Sequence, residues 1–355
     1  MHDLRLRSVS IILENQHASG AYVASPNFSN YRYSWLRDGS FIAYAMLREG
    51  QIESAARFLG WVNSVINSQY SRIQNIVAAK NGGTSTDRHD YLPTRYHLDG
   101  TISDDDWPNF QIDGYGAWLW LLAEYVRAVG DETIIRRFRT SIRLTLDYLA
   151  VVWQRPNYDC WEEFGDAVHP STLACVYGGV NSINKYLGEK ALSLFADQIR
   201  SEISALTVDG RFSKNSRSTS IEASLLGLSI PFGVVLPHDE RMRRTVRLIE
   251  EELLEEGGVR RYPDDTYYGG GLWILLGCWL GWYYVRTGKR EKAELIARWV
   301  ECQADTDGNL PEQVPGNRTI DTYHNEWMER WGAVATPLLW SHAMYLVLER
   351  EISEN

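Results

Sequence analysis

Apolar positions recur at helical spacing in twelve stretches of this chain, approximately 4–16, 38–49, 51–67, 114–129, 131–154, 170–187, 189–206, 219–228, 238–256, 271–286, 289–303 and 335–352. The odd-numbered stretches past the first are amphipathic. In the ninth, Met242, Val246, Ile249 and Leu253 form one apolar stripe among Arg and Glu; in the fifth, Ile135, Ile142, Leu146, Leu149 and Trp153 share a side. Several even-numbered stretches, notably 114–129, 271–286 and 335–352, are apolar nearly all round. A helix without a polar face must be covered on every side, whereas an amphipathic one keeps a face in water. The pattern predicts six inner helices wrapped by six outer ones: an all-α (α/α)6 barrel, a six-hairpin toroid. An open helical solenoid is the alternative, but no fixed-period repeat supports it. No strand-like alternation of consequence competes.

The connections alternate too. After even stretches the chain turns in a few residues, as at Gly130-Asp131, Gly188-Glu189 and Thr287-Gly288. After odd ones it runs through long segments dense in Trp, Tyr, Asp, Glu and Arg. Short connections are ordinary, and long ones tend to carry function. In an up-down array all odd-to-even connections emerge at one end, so the chemistry is expected on that face.

Composition narrows the function classes. The 355 residues, 44% hydrophobic, suffice for one large core, and no linker-like composition marks a boundary, so a single domain over 1–355 is expected. A net charge of -10 disfavours nucleic acid and anionic membranes as partners. The most apolar run, Gly271–Val285, falls short of the roughly 20 residues of a membrane span and carries Trp and Tyr throughout. Met1-His2-Asp3-Leu4-Arg5 lacks a signal-peptide pattern, and Cys160, Cys175, Cys278 and Cys302 show no CxxC spacing, which together suggest a cytoplasmic protein with reduced thiols. Eight scattered histidines without HxxxH or HExxH give no support for a metal, and no cofactor is expected. Fourteen Trp and twenty Tyr suit sugar faces and a large core equally well.

Five long connections carry candidate chemistry. The first ends in Tyr31-Arg32-Tyr33-Ser34-Trp35-Leu36-Arg37-Asp38, and the second holds Asp104-Asp105-Asp106-Trp107 and then Asp113-Gly114. The third carries Trp161-Glu162-Glu163, where desolvation and like charge would raise a carboxyl pKa as a general acid needs. The fifth holds Arg261-Tyr262-Pro263-Asp264-Asp265, and the sixth Leu310-Pro311-Glu312-Gln313. Each alone is more often structural. Together they describe an aromatic pocket with paired carboxylates and Arg, without phosphate-cradling glycines or a nucleophilic serine motif. That combination matches glycoside hydrolysis, in which two carboxylates flank an oxocarbenium-like transition state.

These segments resemble the glucoamylase-type inverting glycoside hydrolases of family 15. The Tyr31…Trp35-x-Arg37-Asp38 string is similar to the family's Y-x-Y-x-W-x-R-D, and Trp107 precedes Asp113-Gly114 at the spacing of its Trp…Asp-Gly. Trp161-Glu162-Glu163 resembles the acid-bearing W-E-E, and Arg261 to Tyr268 the R-Y-P-E-D-x-Y-Y, with Trp273 after it. Leu310-Pro311-Glu312-Gln313 resembles the base-bearing L-x-E-Q, and Pro337 to His342 the closing P-L-x-W-S-H. The resemblance implies roles. Glu162 would be the general acid, Glu312 the general base, and Tyr31 would help hold the attacking water. Arg37 and Asp38 would grip a terminal glucose, and Trp35, Trp107 and Trp161 would form sugar-contacting walls. Glu163, Arg261, Tyr262 and Asp265 would serve the leaving-group side.

Two departures from the family are expected: no N-terminal β-sandwich like that of prokaryotic relatives, and no carbohydrate-binding module. The acidic Asp104–Asp106 insert is also unexpected in a starch-degrading relative. In this it looks like single-domain bacterial members that cleave isomaltose. The expected substrate is therefore a short oligosaccharide, α-1,6-linked ahead of maltodextrins, dextran ends or trehalose. A non-catalytic sugar-binding regulator, or a lyase or epimerase on the same scaffold, is the competing class. The connection near Asp209–Ser218 carries no assigned role.

Overall fold

The computed structural model describes residues 4–82 and 90–354; the leader reading of Met1–Asp3 concerns residues outside that range. The helices are α1 (Leu4–Glu14), α2 (Leu36–Arg48), α3 (Ile52–Ser68), α4 (Tyr70–Asn81), α5 (Asp113–Val129), α6 (Thr133–Arg137), α7 (Arg139–Val152), α8 (Pro170–Leu187), α9 (Lys190–Ala205), α10 (Glu240–Glu252), α11 (Ile274–Arg286), α12 (Arg290–Glu301), α13 (Asp321–Trp331) and α14 (Leu339–Glu354). α2, α5, α8, the 3-10 segment Ala223–Leu228, α11 and α14 each pack on the next, and α14 packs back on α2, closing an inner ring. α1, α3, α7, α9, α10 and α12 cover it from outside. This is the expected (α/α)6 arrangement. The all-round apolar stretches became the ring: every residue of α11 except Arg286 is buried, whereas α10 buries only Met242, Thr245, Val246 and Ile249.

Close approach inside the ring depends on glycine. A Cβ on Gly116 of α5 would lie 2.2 Å from the Cys175 carbonyl oxygen of α8, and one on Gly179 would lie 2.3 Å from that of Gly116. The two backbones touch, which no side chain at either position would allow. At the end where the inner helices stop, Glu351 of α14 is fully buried and accepts from Arg48 of α2 at 2.8 Å and Arg286 of α11 at 2.7 Å. That end is clasped by charge, and the helix N-termini converge on the other.

The sequence reading departs from the structure in four places. The stretch 131–154 breaks at Phe138 into α6 and α7. The stretch 219–228 is a 3-10 turn, because only six residues separate Glu222 from the Ser229-Ile230-Pro231 break. α4 follows α3 through the single residue Gln69, with no Gly or Pro to punctuate it, and buries little beyond Ile73 and Ile76. α13 occupies what reads as the last long loop.

Short strands staple the loops. β1 (Ser34–Trp35) pairs antiparallel with β2 (Arg95–Tyr96), and β3 (Thr207–Val208) with β4 (Arg211–Phe212). β5 (Leu254–Glu255), β6 (Gly258–Val259), β7 (Leu272–Trp273) and β8 (Gln313–Val314) form one antiparallel sheet in that order. Its Trp273↔Gln313 register fixes the Glu312 loop beside the start of α11. Among the described residues no helix is long and apolar enough to cross a membrane, and the four cysteines are free.

Candidate active site

The first turns of α2 and α14, together with the loops that precede α2, α5, α8, α11 and α14, surround a cavity of about 300 Å³. Arg37 and Asp38 sit in the first turn of α2, two residues earlier than the sequence reading began that helix. Asp113 opens α5, where a Cβ on Gly114 would lie 2.9 Å from the Arg37 amide nitrogen, so glycine lets the two helix starts meet. Arg37 donates to Gln111 Oε1 and Asp113 Oδ2, both at 3.0 Å. Its Nε lies 3.1 Å from Asp38 Oδ1, but the pair is not aligned as a hydrogen bond, so both buried atoms lack a hydrogen-bond partner. Both residues line the cavity. Burial pushes the Asp38 carboxyl up to about 6, against the opposing pull of Arg37.

Glu162 is presented by a tight turn. Its backbone lies at φ 68°, a left-handed region that is costly for a residue with a side chain. Buried Asp159 holds the turn: its Oδ1 accepts from the amides of Trp161 at 3.0 Å and Glu163 at 2.9 Å. Trp35 Nε1 donates to Glu162 Oε1 at 2.7 Å, and Gln111 Nε2 to the same oxygen at 3.3 Å. With Oε1 so engaged, Oε2 is the oxygen available to carry a proton to a leaving group. The fourth long connection braces this loop from behind. Glu222 accepts from Trp161 Nε1 at 2.7 Å, and the Lys214 ammonium sits 2.9 Å from the centre of the Tyr262 ring.

Glu312 is held from three sides. Its amide donates to Ala335 O at 2.9 Å, its carbonyl accepts from Ile274, and Tyr31 Oη donates to its Oε1 at 3.0 Å. The closing motif acquires a physical role. Ser341 Oγ donates to Pro311 O at 2.8 Å, and His342 Nε2 accepts from the Leu310 amide at 3.0 Å, so the Glu312 loop is pinned to α14. Burial keeps His342 neutral, down to about 3, as that acceptor role requires. Burial raises the Glu312 carboxyl to about 7, with Tyr31, Gln313 and Arg261 pulling the other way and Asp38 adding to the rise.

A general base works only when ionised; with Glu312 in that expected role, kcat/KM rises with pH through an acid limb near 7. Tyr31→Phe removes a donor that stabilises the carboxylate, and the limb is expected to move to higher pH. A pH profile of kcat/KM for both forms checks this; an unmoved limb would show that Tyr31 does not set the ionisation of Glu312.

Of the expected site residues, Tyr31, Trp35, Arg37, Asp38, Trp107, Trp161, Glu162, Arg261 and Glu312 line the cavity. Glu163, Tyr262 and Asp265 do not. Asp265 is fully buried and holds Arg261 through two hydrogen bonds of 2.7 and 2.5 Å; Glu163 accepts from Arg261 at 3.2 Å and from Tyr262 Oη at 2.6 Å. They aim Arg261 from behind. Conversely, residues without an expected role line the cavity: Tyr267, whose Oη lies 2.7 Å from that of Tyr31, and Trp273, Trp327, Trp331 and Trp340. Trp327 and Trp331 belong to α13, which buries none of its residues and packs on Phe28, Tyr267 and Tyr268. Their spacing from Tyr323 (i, i+4, i+8) is the one sequence signal that marks the helix. Among the described residues no three His, Cys, Asp or Glu side chains are grouped to hold a metal ion.

Comparison with known proteins agrees with this arrangement. Residues 2–309 match the family model described as "Glycosyl hydrolases family 15". The chain is 41% identical over 360 residues to the isomaltose glucohydrolase of Kribbella flavida, covering 99% of this chain and 93% of that protein. A solved wild-type glycosidase superposes with a TM-score of 0.96 at 40% identity, covering 99% of this chain and 96% of the other. A trehalase of Sulfolobus acidocaldarius is 24% identical over 274 residues, covering 74% of this chain and 48% of that protein. The protein is a glycoside hydrolase, and it belongs to family 15.

Proposed function

We propose that this enzyme is an inverting exo-α-glucosidase that releases β-D-glucose from the non-reducing end of short oligosaccharides, with a preference for α-1,6 linkages such as that of isomaltose. The observation that carries the reading is the placement of Glu162 and Glu312, from different long connections, on one cavity, with Tyr31 bonded to the second and packed edge-on against Trp35, which is bonded to the first. The terminal glucose rests on Arg37 and Asp38. Glu162 protonates the glycosidic oxygen as its bond to the anomeric carbon breaks. Glu312 takes a proton from water, whose oxygen attacks that carbon from the opposite face. Inversion follows from that geometry, for which carboxyl groups roughly 6.5–9.5 Å apart leave room for the water. α13 adds Trp327 and Trp331 to the cavity wall, and aromatic faces of this kind suit a sugar ring. The α-1,6 preference leans on the Kribbella flavida enzyme, named for isomaltose.

Trehalose hydrolysis is the second reading, favoured by the likeness to trehalases. One assay separates them: isomaltose, maltose, trehalose and panose are each incubated with the enzyme, and the released anomer is followed by NMR. β-Glucose released first, fastest from isomaltose, is the expected result. Initial α-glucose would sink the inverting mechanism, and faster turnover of trehalose the linkage assignment.

A further inference from the structure

The acidic insert before Trp107 is the one sequence feature that the reading above leaves unused. Of its three carboxylates, Asp105 is the one that reaches inward, onto Arg95 of β2. Arg95 is 1% exposed, a rare condition for a guanidinium. Its charge is enclosed by aromatic faces: Trp107 at 3.6 Å, Tyr33 at 4.0 Å and Trp35 at 5.2 Å from ring centre to guanidinium carbon. Its Nη1 donates to Asn30 O at 2.9 Å, and its Nε is buried without a hydrogen-bond partner. Asp105 is the carboxylate paired with it, and that carboxylate is 40% exposed.

The residues so gathered line the catalytic cavity: Asn30, Trp35 and Trp107. They are not equally secured. Trp35 is fixed by the β1–β2 register, directly opposite Arg95, and by its bond to Glu162. Trp107 lies in the stretch between β2 and α5, which forms no helix or strand. Its amide donates to Asp105 O at 3.0 Å, and its indole N–H is buried without a partner. Its place on the cavity wall therefore depends on the tether at Asp105, on the stack against Arg95 and on an edge contact with the Trp35 ring, 6.1 Å away between centres.

We propose that Asp105 is a positioning residue, a latch that closes on Arg95 and thereby holds Trp107 against the bound sugar. The physical basis is the asymmetry of a half-buried ion pair. Removing the exposed partner leaves the buried guanidinium uncompensated, and a buried charge without its counter-ion recruits water or rearranges. The aromatic cage loosens, and its least anchored wall, Trp107, moves first. Glu162 keeps its bond to Trp35, so the chemical step is spared while substrate binding weakens. The inference rests on the sugar-hydrolysing reading of this same cavity.

The test begins with whichever of isomaltose, maltose or trehalose the wild-type enzyme turns over. Absence of turnover on all three would defeat the functional reading, and the latch is then tested by glucose binding in a calorimeter with the same variants. Asp105→Asn is expected to raise KM (or the glucose Kd) roughly tenfold, the effect of about 1.4 kcal/mol, with kcat within about twofold. Asp105→Glu is expected to recover much of the loss. Asp104→Asn and Asp106→Asn remove the same charge from the same loop and are expected to leave KM unchanged. Added salt is expected to raise KM in the wild type and to have little effect in Asp105→Asn, since the pair is open to solvent on one side. Equal effects from all three Asn variants would reduce the insert to a general field, and a fall in kcat at constant KM would place Asp105 in the chemical step. Either result overturns the latch.

Discussion

Replacing Glu312 by glutamine is expected to lower kcat by roughly 10²–10⁴-fold, the contribution of a positioned general base, with KM nearly unchanged. The substitution preserves shape, and the amide oxygen can still accept from Tyr31, so the loop pinned by Ser341 and His342 has no reason to move. What disappears is the ability to take a proton from water. Glu162→Gln should cost as much on a natural disaccharide, but for a different reason, and the leaving group tells the two apart. An aryl glucoside with an acidic phenol departs without protonation, so Glu162→Gln should recover most of its activity on it, whereas Glu312→Gln should stay impaired. Initial rates of both variants on both substrates check the assignment. Recovery by Glu312→Gln instead would exchange the two roles; a raised KM at full kcat would make the carboxylates mere binding groups.

Arg37→Leu is expected to be the most damaging change that leaves Glu162 and Glu312 in place. Arg37 faces Asp38 and Asp113, both buried, and its removal strands two carboxylates against each other. Breaking a buried pair in this way costs about 3–5 kcal/mol. Loss of the proposed contacts to sugar hydroxyls adds an expected fall in kcat/KM on the order of 10³-fold, from charge-assisted hydrogen bonds of about 1.5–3 kcal/mol each. The pH dependence of the stability loss is specific. The Asp38 carboxyl already sits near 6 with Arg37 opposing the rise, and without that cation it moves higher. A carboxyl whose folded pKa is raised binds its proton more tightly in the native state, so stability falls as pH rises from the unfolded value through the folded one. The deficit of Arg37→Leu should therefore shrink between pH 8 and pH 5. Urea melts of both proteins at the two pH values measure it; an equal deficit at both would mean that lost packing, not stranded charge, dominates.

Much of this fold is legible in hydrophobic patterning, because the ring imposes a simple rule: helices covered on all sides have no polar face. The rule identified α5, α11 and α14 and paired each with an amphipathic outer helix. It fails where a segment is neither in the ring nor wrapped around it. α13 rests on the mouth of the cavity with every residue at least partly exposed, so no apolar stripe of ordinary width marks it. Only Gln69 stands between the end of α3 and the start of α4, and it is no breaker residue.

At the site, motif order placed the residues on the right connections but could not say which way neighbours in one turn point. Arg261 and Tyr262 are adjacent, yet the first lines the cavity and the second lies behind it, its hydroxyl bonded to Glu163. The tryptophans show the same limit. Trp118 and Trp282 are buried core while Trp273 and Trp340 line the cavity, and nothing in local sequence separates the two pairs, since all four occupy or adjoin inner helices. Depth along the barrel decides, and depth is a tertiary property.

The backbone of Glu162 has a consequence for how this enzyme can change. At φ 68° glycine or asparagine would relieve local strain of about 1–3 kcal/mol that glutamate must bear. Here the most stable amino acid and the useful one differ. Variants selected only for resistance to heat will tend to drift away from glutamate at this position and lose activity. A breeding programme for a tougher enzyme must therefore score turnover in every round, because stability screening alone rewards the loss of this glutamate.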